Sequence, residues 1–279
     1  ILYAADNLGY VYAIDLKNRS LVWAKNYGIP FRSNLKITKE QLLLANQDNV
    51  IYAINPNTGD KEWQFATSLT FLKSDFMNNF AIDENKKNIF FLNTSGELYS
   101  INRLDRNINW ILNFKSSSFA EETALFLSQP LVIKNNNLIV STEKRIMSFE
   151  SSSGIRNWLF NSNPMLKPVA TKNYIYMVSK NDLLICLNNS TGEVLWSKKI
   201  FTNIERKTIK KIGKIHDFKI ANNELNLFSK NGYLLSFSYR DGNFNYLKKI
   251  SKNGISSKVI FIKNNMLLID NSNKLLKLN

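Results

Sequence analysis

Three observations predict an all-β chain, a β-propeller of four-stranded antiparallel blades. A short unit recurs along the sequence, turn-forming residues break each unit into strands, and several of those strands are apolar on both faces. The unit is clearest in INPNTGDKEWQF (54–65), where an apolar run leads into Asn, Thr-Gly and a Trp four residues after the Gly. CLNNSTGEVLWSKKI (186–200) repeats it with Gly192 and Trp196, and FESSSGIRNWLF carries Gly154 and Trp158. AIDLKNRSLVW ends on Trp23 and INRLDRNINW on Trp110, both without the Gly, while SYRDGNFNYLKK has Gly242 and Tyr246 in the Trp slot. Positions 23, 63, 110, 158, 196 and 246 are thus 40, 47, 48, 38 and 50 residues apart. A period of roughly 40–50 residues is that of a propeller blade.

Each element follows from local chemistry. In the segment 174–200 a strand YIYMVS meets the turn KND, a strand LLICLN meets NSTG, and a strand EVLWSKKI follows. Asn, Asp, Ser and Gly at both breaks make this a three-stranded antiparallel meander. A further strand precedes it in most units, as in SQPLVIK and LKPVATK, which brings the count to four. Runs such as NIFFLN and LLICL lack the alternation of a half-exposed sheet, and a blade covered by a neighbour on either side explains why. The repeated Trp belongs on the outermost strand, where it covers the gap between blades.

Residues 1–279 read as a single propeller domain with incomplete blades at both ends. The chain opens on the strand-like ILYAAD, inside a blade, and stops on the third strand of another. Propellers close by completing one blade from both termini, which removes free sheet edges. The expectation is therefore an additional N-terminal segment that supplies the missing strands, and seven or eight blades in the intact protein.

Composition excludes several classes. Hydrophobic residues are 44% and charged residues 21% of 279, ordinary for a globular chain, and no apolar run reaches the ~18 residues of a spanning helix. The formal charge is +15 and the pI about 9.7. The lysines are spread over many turns (ENKKN, ERKTIKKIGK, YLKKISKN), without a single stripe of interleaved aromatics, so a solvated surface is favoured over an anionic membrane or acidic partner, and nucleic acid comes last. The abundance of Lys, Asn and Ile also fits an A/T-rich coding bias. The one cysteine, Cys186, lies in LLICL and reads as a buried inert thiol. His216, in GKIHDFKIANN, has no nucleophile nearby in sequence and reads as a packing or solvated residue. Carboxylates occur only as short pairs such as Asp83-Glu84 and Glu121-Glu122, and no phosphate loop, HExxH or GxSxG is present. No catalytic residue, cofactor or metal ligand is assigned, and the chain is not read as an enzyme.

The A-I-D/N-x-x-T-G-x-x-x-W unit resembles the repeat of the quinoprotein-like (PQQ-like) propellers, a family that holds quinone-dependent dehydrogenases as well as non-enzymatic outer-membrane protein assembly factors. The dehydrogenase branch is the alternative reading, disfavoured because its vicinal disulfide and Ca²⁺ site have no counterpart in a chain with one Cys. The C-terminal stretch NGISSKVIFIKNNMLLIDNSNKLLKLN resembles the end of the BamB branch in length and layout. That resemblance implies a non-catalytic scaffold of the outer-membrane barrel assembly (BAM) complex, in the periplasm at the inner face of the outer membrane. It also implies docking on POTRA domains of a BamA-like protein, contact with unfolded outer-membrane protein clients, and a lipidated N-terminus. In QFATSLTFLKSDF the positions matching the family's docking loop are Leu69, Phe71 or Leu72, and Lys73; in SSSFAEETALFLSQP, Glu121 and Glu122 fall where the family has acidic contacts.

The residues themselves point the same way. The two loops account for the long spacings of 47 and 48. They carry Leu69, Phe71, Leu72 and Phe76, and Phe119, Leu125 and Phe126, where connectors are usually polar. Apolar groups rimmed by charge mark an interaction surface, and adjacent blades would put both loops at one end. The same side chains would also serve as packing over the blade ends, and the sequence leaves both uses open. A sugar- or peptidoglycan-binding propeller is a third class, which clustered aromatics and carboxylates in a central funnel would distinguish.

Overall fold

The structure, a computed structural model, describes residues 1–68, 79–83, 85, 87–115, 126–202, 204–262 and 265–278. Among these the strands form seven antiparallel sheets, each a meander in chain order. The first holds β1 (Leu2–Ala5), β2 (Tyr10–Asp15) and β3 (Ser20–Asn26). The second holds β4 (Lys36–Ile37), β5 (Leu42–Ala45), β6 (Val50–Ile54) and β7 (Lys61–Ala66), and the third β8 (Asn79–Ile82), β9 (Asn88–Leu92), β10 (Glu97–Asn102) and β11 (Ile108–Asn113). The fourth is β12 (Val132–Lys134), β13 (Asn137–Ser141), β14 (Arg145–Glu150) and β15 (Arg156–Asn161), and the fifth β16 (Val169–Ala170), β17 (Tyr174–Val178), β18 (Leu183–Asn188) and β19 (Val194–Lys199). A short helix, α1 (Arg206–Ile212), leads into the sixth, β20 (Ile215–Ala221), β21 (Glu224–Ser229), β22 (Tyr233–Ser238) and β23 (Phe244–Lys249). The seventh has β24 (Ile260–Ile262), β25 (Asn265–Ile269) and β26 (Leu275–Leu278). Five four-stranded sheets between two three-stranded ones match the expected blade pattern.

The chain divides into two compact units, Ile1–Thr142 with Ser148–Asn157, and Glu143–Met147 with Trp158–Asn279. In the first unit β5 shows why its LLLA is apolar on both faces. Leu42 and Leu44 pack with Val11, Ala13 and Trp23 of the first sheet, whereas Leu43 and Ala45 pack with Phe80, Ile89 and Phe91 of the third. Alternate side chains of one strand thus serve two cores. In the second unit Val178, Leu184 and Cys186 pack with Phe218, Leu225 and Leu227 in the same manner. Burial pushes the Cys186 thiol up to about 12, as an inert core thiol requires.

The repeated Trp seals these seams. The Trp23, Trp110 and Trp158 indole N–H groups donate at 3.0 Å to the carbonyls of Pro56, Ser151 and Asn189, in the turn of the following sheet. Each carbonyl lies three residues before a glycine, Gly59, Gly154 or Gly192, and the indole lies against that glycine. Gly192 has φ +74°, and a Cβ there would stand 2.5 Å from Trp158. The Thr-Gly of one repeat is therefore the seat for the Trp of the one before. A small residue faces four of the five indoles across the strand pair: Trp23 pairs with Ala13, Trp63 with Ala53, Trp110 with Ser100 and Trp196 with Cys186. The register slips by a bulge just beyond each of these pairs.

His216 proves to be structural. Its two ring nitrogens lie 3.1 Å from the Phe228 and Ser257 carbonyl oxygens, and the adjacent Asp217 carboxylate, 5% exposed, accepts the Val259 N–H at 2.8 Å. Together they hold residues 257–259 to β20. Helix α1 was not expected, because ERKTIKKIGK shows no apolar periodicity and the helix buries only Ile212. It ends at Gly213, whose N–H bonds the Ile209 carbonyl at 3.3 Å.

Candidate interaction site

Leu69, Phe71, Leu72, Lys73, Glu121 and Glu122 lie outside the described residues. What is described are the stems of both loops, and a single turn of the third sheet gathers them. That turn, Asn93–Glu97, joins β9 to β10.

Thr67 begins the first loop. Its hydroxyl donates to the Asn49 carbonyl at 2.9 Å and accepts from the Asn93 amide at 3.2 Å. Asn49, in the β5–β6 turn, is fully buried with φ +61°, a conformation that Asn tolerates better than most residues. Its amide donates to the Ser68 carbonyl at 3.1 Å, and its side-chain oxygen accepts the Thr94 hydroxyl at 3.1 Å and the Thr94 N–H at 3.3 Å. One buried side chain thus ties the second sheet, the loop stem and the third sheet together. Buried polar groups need such partners, and here they are supplied in full.

The second loop returns to the same turn. On its entry side the Phe114 N–H donates to the Gly96 carbonyl at 2.9 Å, and on its exit side the Phe126 N–H donates to the Thr94 carbonyl at 2.9 Å. The Phe114 and Phe126 rings stack at 5.8 Å with an 18° interplanar angle, and Phe114 meets Phe149 edge-on at 5.6 Å. Phe126, one of the apolar loop residues noted in the sequence, is therefore packing at a stem. The far end of the first loop, Asn79, donates through its amide to the Ser128 hydroxyl and, at 3.3 Å, to the Ser128 carbonyl. The start of the first loop and both ends of the second thus meet the Asn93–Glu97 turn, and the far end of the first loop at Asn79 is tied to Ser128 just beyond the second.

Electrostatics sharpen the cluster. Burial works to raise the Glu97 carboxyl, but hydrogen bonds from Ser68, Tyr99 and Asn93 outweigh it and hold the group below its ordinary value. The Tyr99 hydroxyl donates at 2.8 Å and the Asn93 amide at 3.0 Å. A depressed carboxyl stabilises the fold when ionised, and that contribution disappears as pH falls through the folded-state value. In thermal melts, wild type should exceed Glu97→Gln in Tm at neutral pH, and the gap should close below about pH 4. A constant gap from neutral to acid would show that the carboxylate charge is not what holds the Ser68 stem.

Sequence reasoning missed Asn49, Thr67, Asn93, Thr94 and Glu97. A signal existed for Asn49, since ANQDNVIY places it where the equivalent turns SKNGYL and ADNLGYVY carry Gly. An Asn that replaces Gly in a repeat keeps the left-handed backbone and adds an amide. Among the described residues no group of three or more His, Cys, Asp or Glu is arranged to hold a metal ion.

Consecutive four-stranded meanders with Trp-on-Gly seams and paired long connectors define a β-propeller of the quinoprotein-like type. Residues 1–198 match the family described as outer membrane protein assembly factor BamB, and the chain belongs to that family. Among curated proteins it is 18% identical over 266 residues to the outer membrane protein assembly factor BamB of Yersinia pestis, covering 86% of this chain and 62% of that protein. It is 20% identical over 230 residues to the BamB of Moranella endobia, covering 73% of this chain and 56% of that one. The chain therefore spans less than two thirds of the length of these relatives. The crystal structure of BamB from Moraxella catarrhalis superposes with a TM-score of 0.76 at 12% identity, over 99% of this chain and 80% of that one, a likeness of fold.

Proposed function

We propose that this protein is a non-catalytic scaffold of the outer-membrane barrel assembly machinery, acting in the periplasm at the inner face of the outer membrane. Its docking surface is the pair of long connectors after β7 and β11, with Leu69, Phe71, Leu72 and Lys73 on one and Glu121 and Glu122 on the other. The partner is the POTRA region of a BamA-like barrel-inserting protein. Unfolded barrel strands are the clients that the assembled complex guides. The observation that carries this reading is the shared anchor of the two loops at Asn93–Glu97, in a chain of the BamB family. Two apolar connectors rooted side by side offer an aromatic and aliphatic centre with a charged rim, the composition of a protein-docking patch.

A pull-down tests it. Immobilised POTRA domains should retain the wild type, and the Leu72→Glu/Lys73→Glu variant should lose roughly tenfold or more in retention, as expected for an anchor reversed in character. Equal retention of the two proteins removes the site.

A further inference from the structure

Between Glu205 and Lys258 the chain has twelve Lys or Arg against four Asp or Glu, so about a fifth of the sequence holds eight of its fifteen net charges. These basic residues look dispersed in sequence, but three of them, Lys211, Lys249 and Lys252, come together in the second unit. In an antiparallel meander every second connection returns to the same end of the sheet. Helix α1, the β21–β22 turn, the β23–β24 connection and the β25–β26 turn therefore share one end of the sixth and seventh sheets.

There they line a cavity of about 390 Å³, with Lys211, Asn231, Lys249, Lys252, Asn253 and Asn271 around it and Gly254 in its wall. Its frame is fixed. The Asn231 amide donates to the Lys211 carbonyl at 2.9 Å, pinning the end of α1 to the β21–β22 turn. Asn253 donates to Asp270 at 3.1 Å, and the Asp270 carboxylate also accepts the Ser272 and Lys274 N–H groups at 2.9 Å. The nearby acid is thus engaged by its own turn. Among the described residues no carboxylate pairs with Lys211, Lys249 or Lys252. The Lys249 ammonium stands 5.0 Å from the centre of the Tyr233 ring.

The wall beside one of the amide donors is narrow: a Cβ at Gly254, at φ +81°, would lie 2.5 Å from both the Asn271 amide nitrogen and the Lys230 carbonyl oxygen.

We infer that this cavity binds a phosphate group, held by the Lys211, Lys249 and Lys252 ammoniums with the Asn231 and Asn271 amides. Three lysines around one cavity, without a carboxylate partner among the described residues, match a multiply charged tetrahedral anion better than a single carboxylate. The phosphate of an anionic lipid headgroup and that of a soluble phosphorylated compound present the same chemistry.

The experiment uses the full chain, a Lys211→Gln/Lys249→Gln/Lys252→Gln variant and a control variant, Lys17→Gln/Lys39→Gln/Lys144→Gln, with the same charge change elsewhere. Pyrophosphate is titrated at constant ionic strength by calorimetry, and phosphatidylglycerol vesicles are compared with phosphatidylcholine vesicles by co-sedimentation. Wild type and control should bind alike, and the cavity variant should bind at least about tenfold more weakly. Cavity-dependent binding of pyrophosphate alone assigns a soluble ligand, and cavity-dependent binding of phosphatidylglycerol vesicles assigns a lipid headgroup. If neither probe binds wild type, or the cavity variant and the control weaken equally, the inference is overturned.

Discussion

Trp158→Ala should lower stability by about 3–5 kcal/mol, the range for removing a buried Trp from a packed site. Trp158 is 7% exposed, donates to the Asn189 carbonyl and covers Gly192. Its removal opens a void over Gly192 and leaves that carbonyl without its donor. The reciprocal change, Gly192→Val, should cost a comparable amount, because a β-branched residue at φ +74° is strained by about 1–2 kcal/mol before any contact is counted. The added Cβ then also meets the indole. The double variant is informative. With the indole gone the steric part of the Gly192→Val cost vanishes, so the two losses should be less than additive. Urea unfolding of the four proteins measures this, and strict additivity would mean that the indole and the glycine do not form one unit.

Asn49→Ala should destabilise by about 2–4 kcal/mol, since the buried Thr94 hydroxyl and N–H each lose a partner and an unsatisfied buried group costs about 1–3 kcal/mol. Alanine also sits poorly at φ +61°. Asn49→Gly separates the two effects, because glycine accepts the backbone and lacks the amide. Asn49→Gly should retain most of the loss, and it should speed amide exchange at Ser68 and Thr94 more than in the fifth or sixth sheet. A stability equal to wild type in Asn49→Gly would mean that the network does not hold the stems.

The strands, the turns and the Trp seam were legible because each depends on residues close in sequence. NNSTG closes a turn wherever it stands, and EVLW makes a strand in any covered blade. Even the two-faced strands followed from composition, with LLLA dividing its side chains between neighbouring cores. The anchor at Asn93–Glu97 was not legible, because Asn49, Thr67 and Thr94 are ordinary turn residues until three segments meet. Helix α1 escaped for a different reason, as one buried Ile leaves no periodic trace. The lysine cavity escaped because its members are separated by whole strands. The docking residues came from resemblance and from loop length, and the structure contributes their roots.

One measurement decides whether the two connectors work as the single docking surface proposed for them. Calorimetric titration of POTRA domains into wild type, Leu72→Glu/Lys73→Glu, Glu121→Lys/Glu122→Lys and the combination of both tests it directly. Each loop variant should bind about tenfold or more weakly, and the combined loss should depart from the sum of the two. Wild-type affinity in either loop variant, or losses that add without coupling, would contradict it.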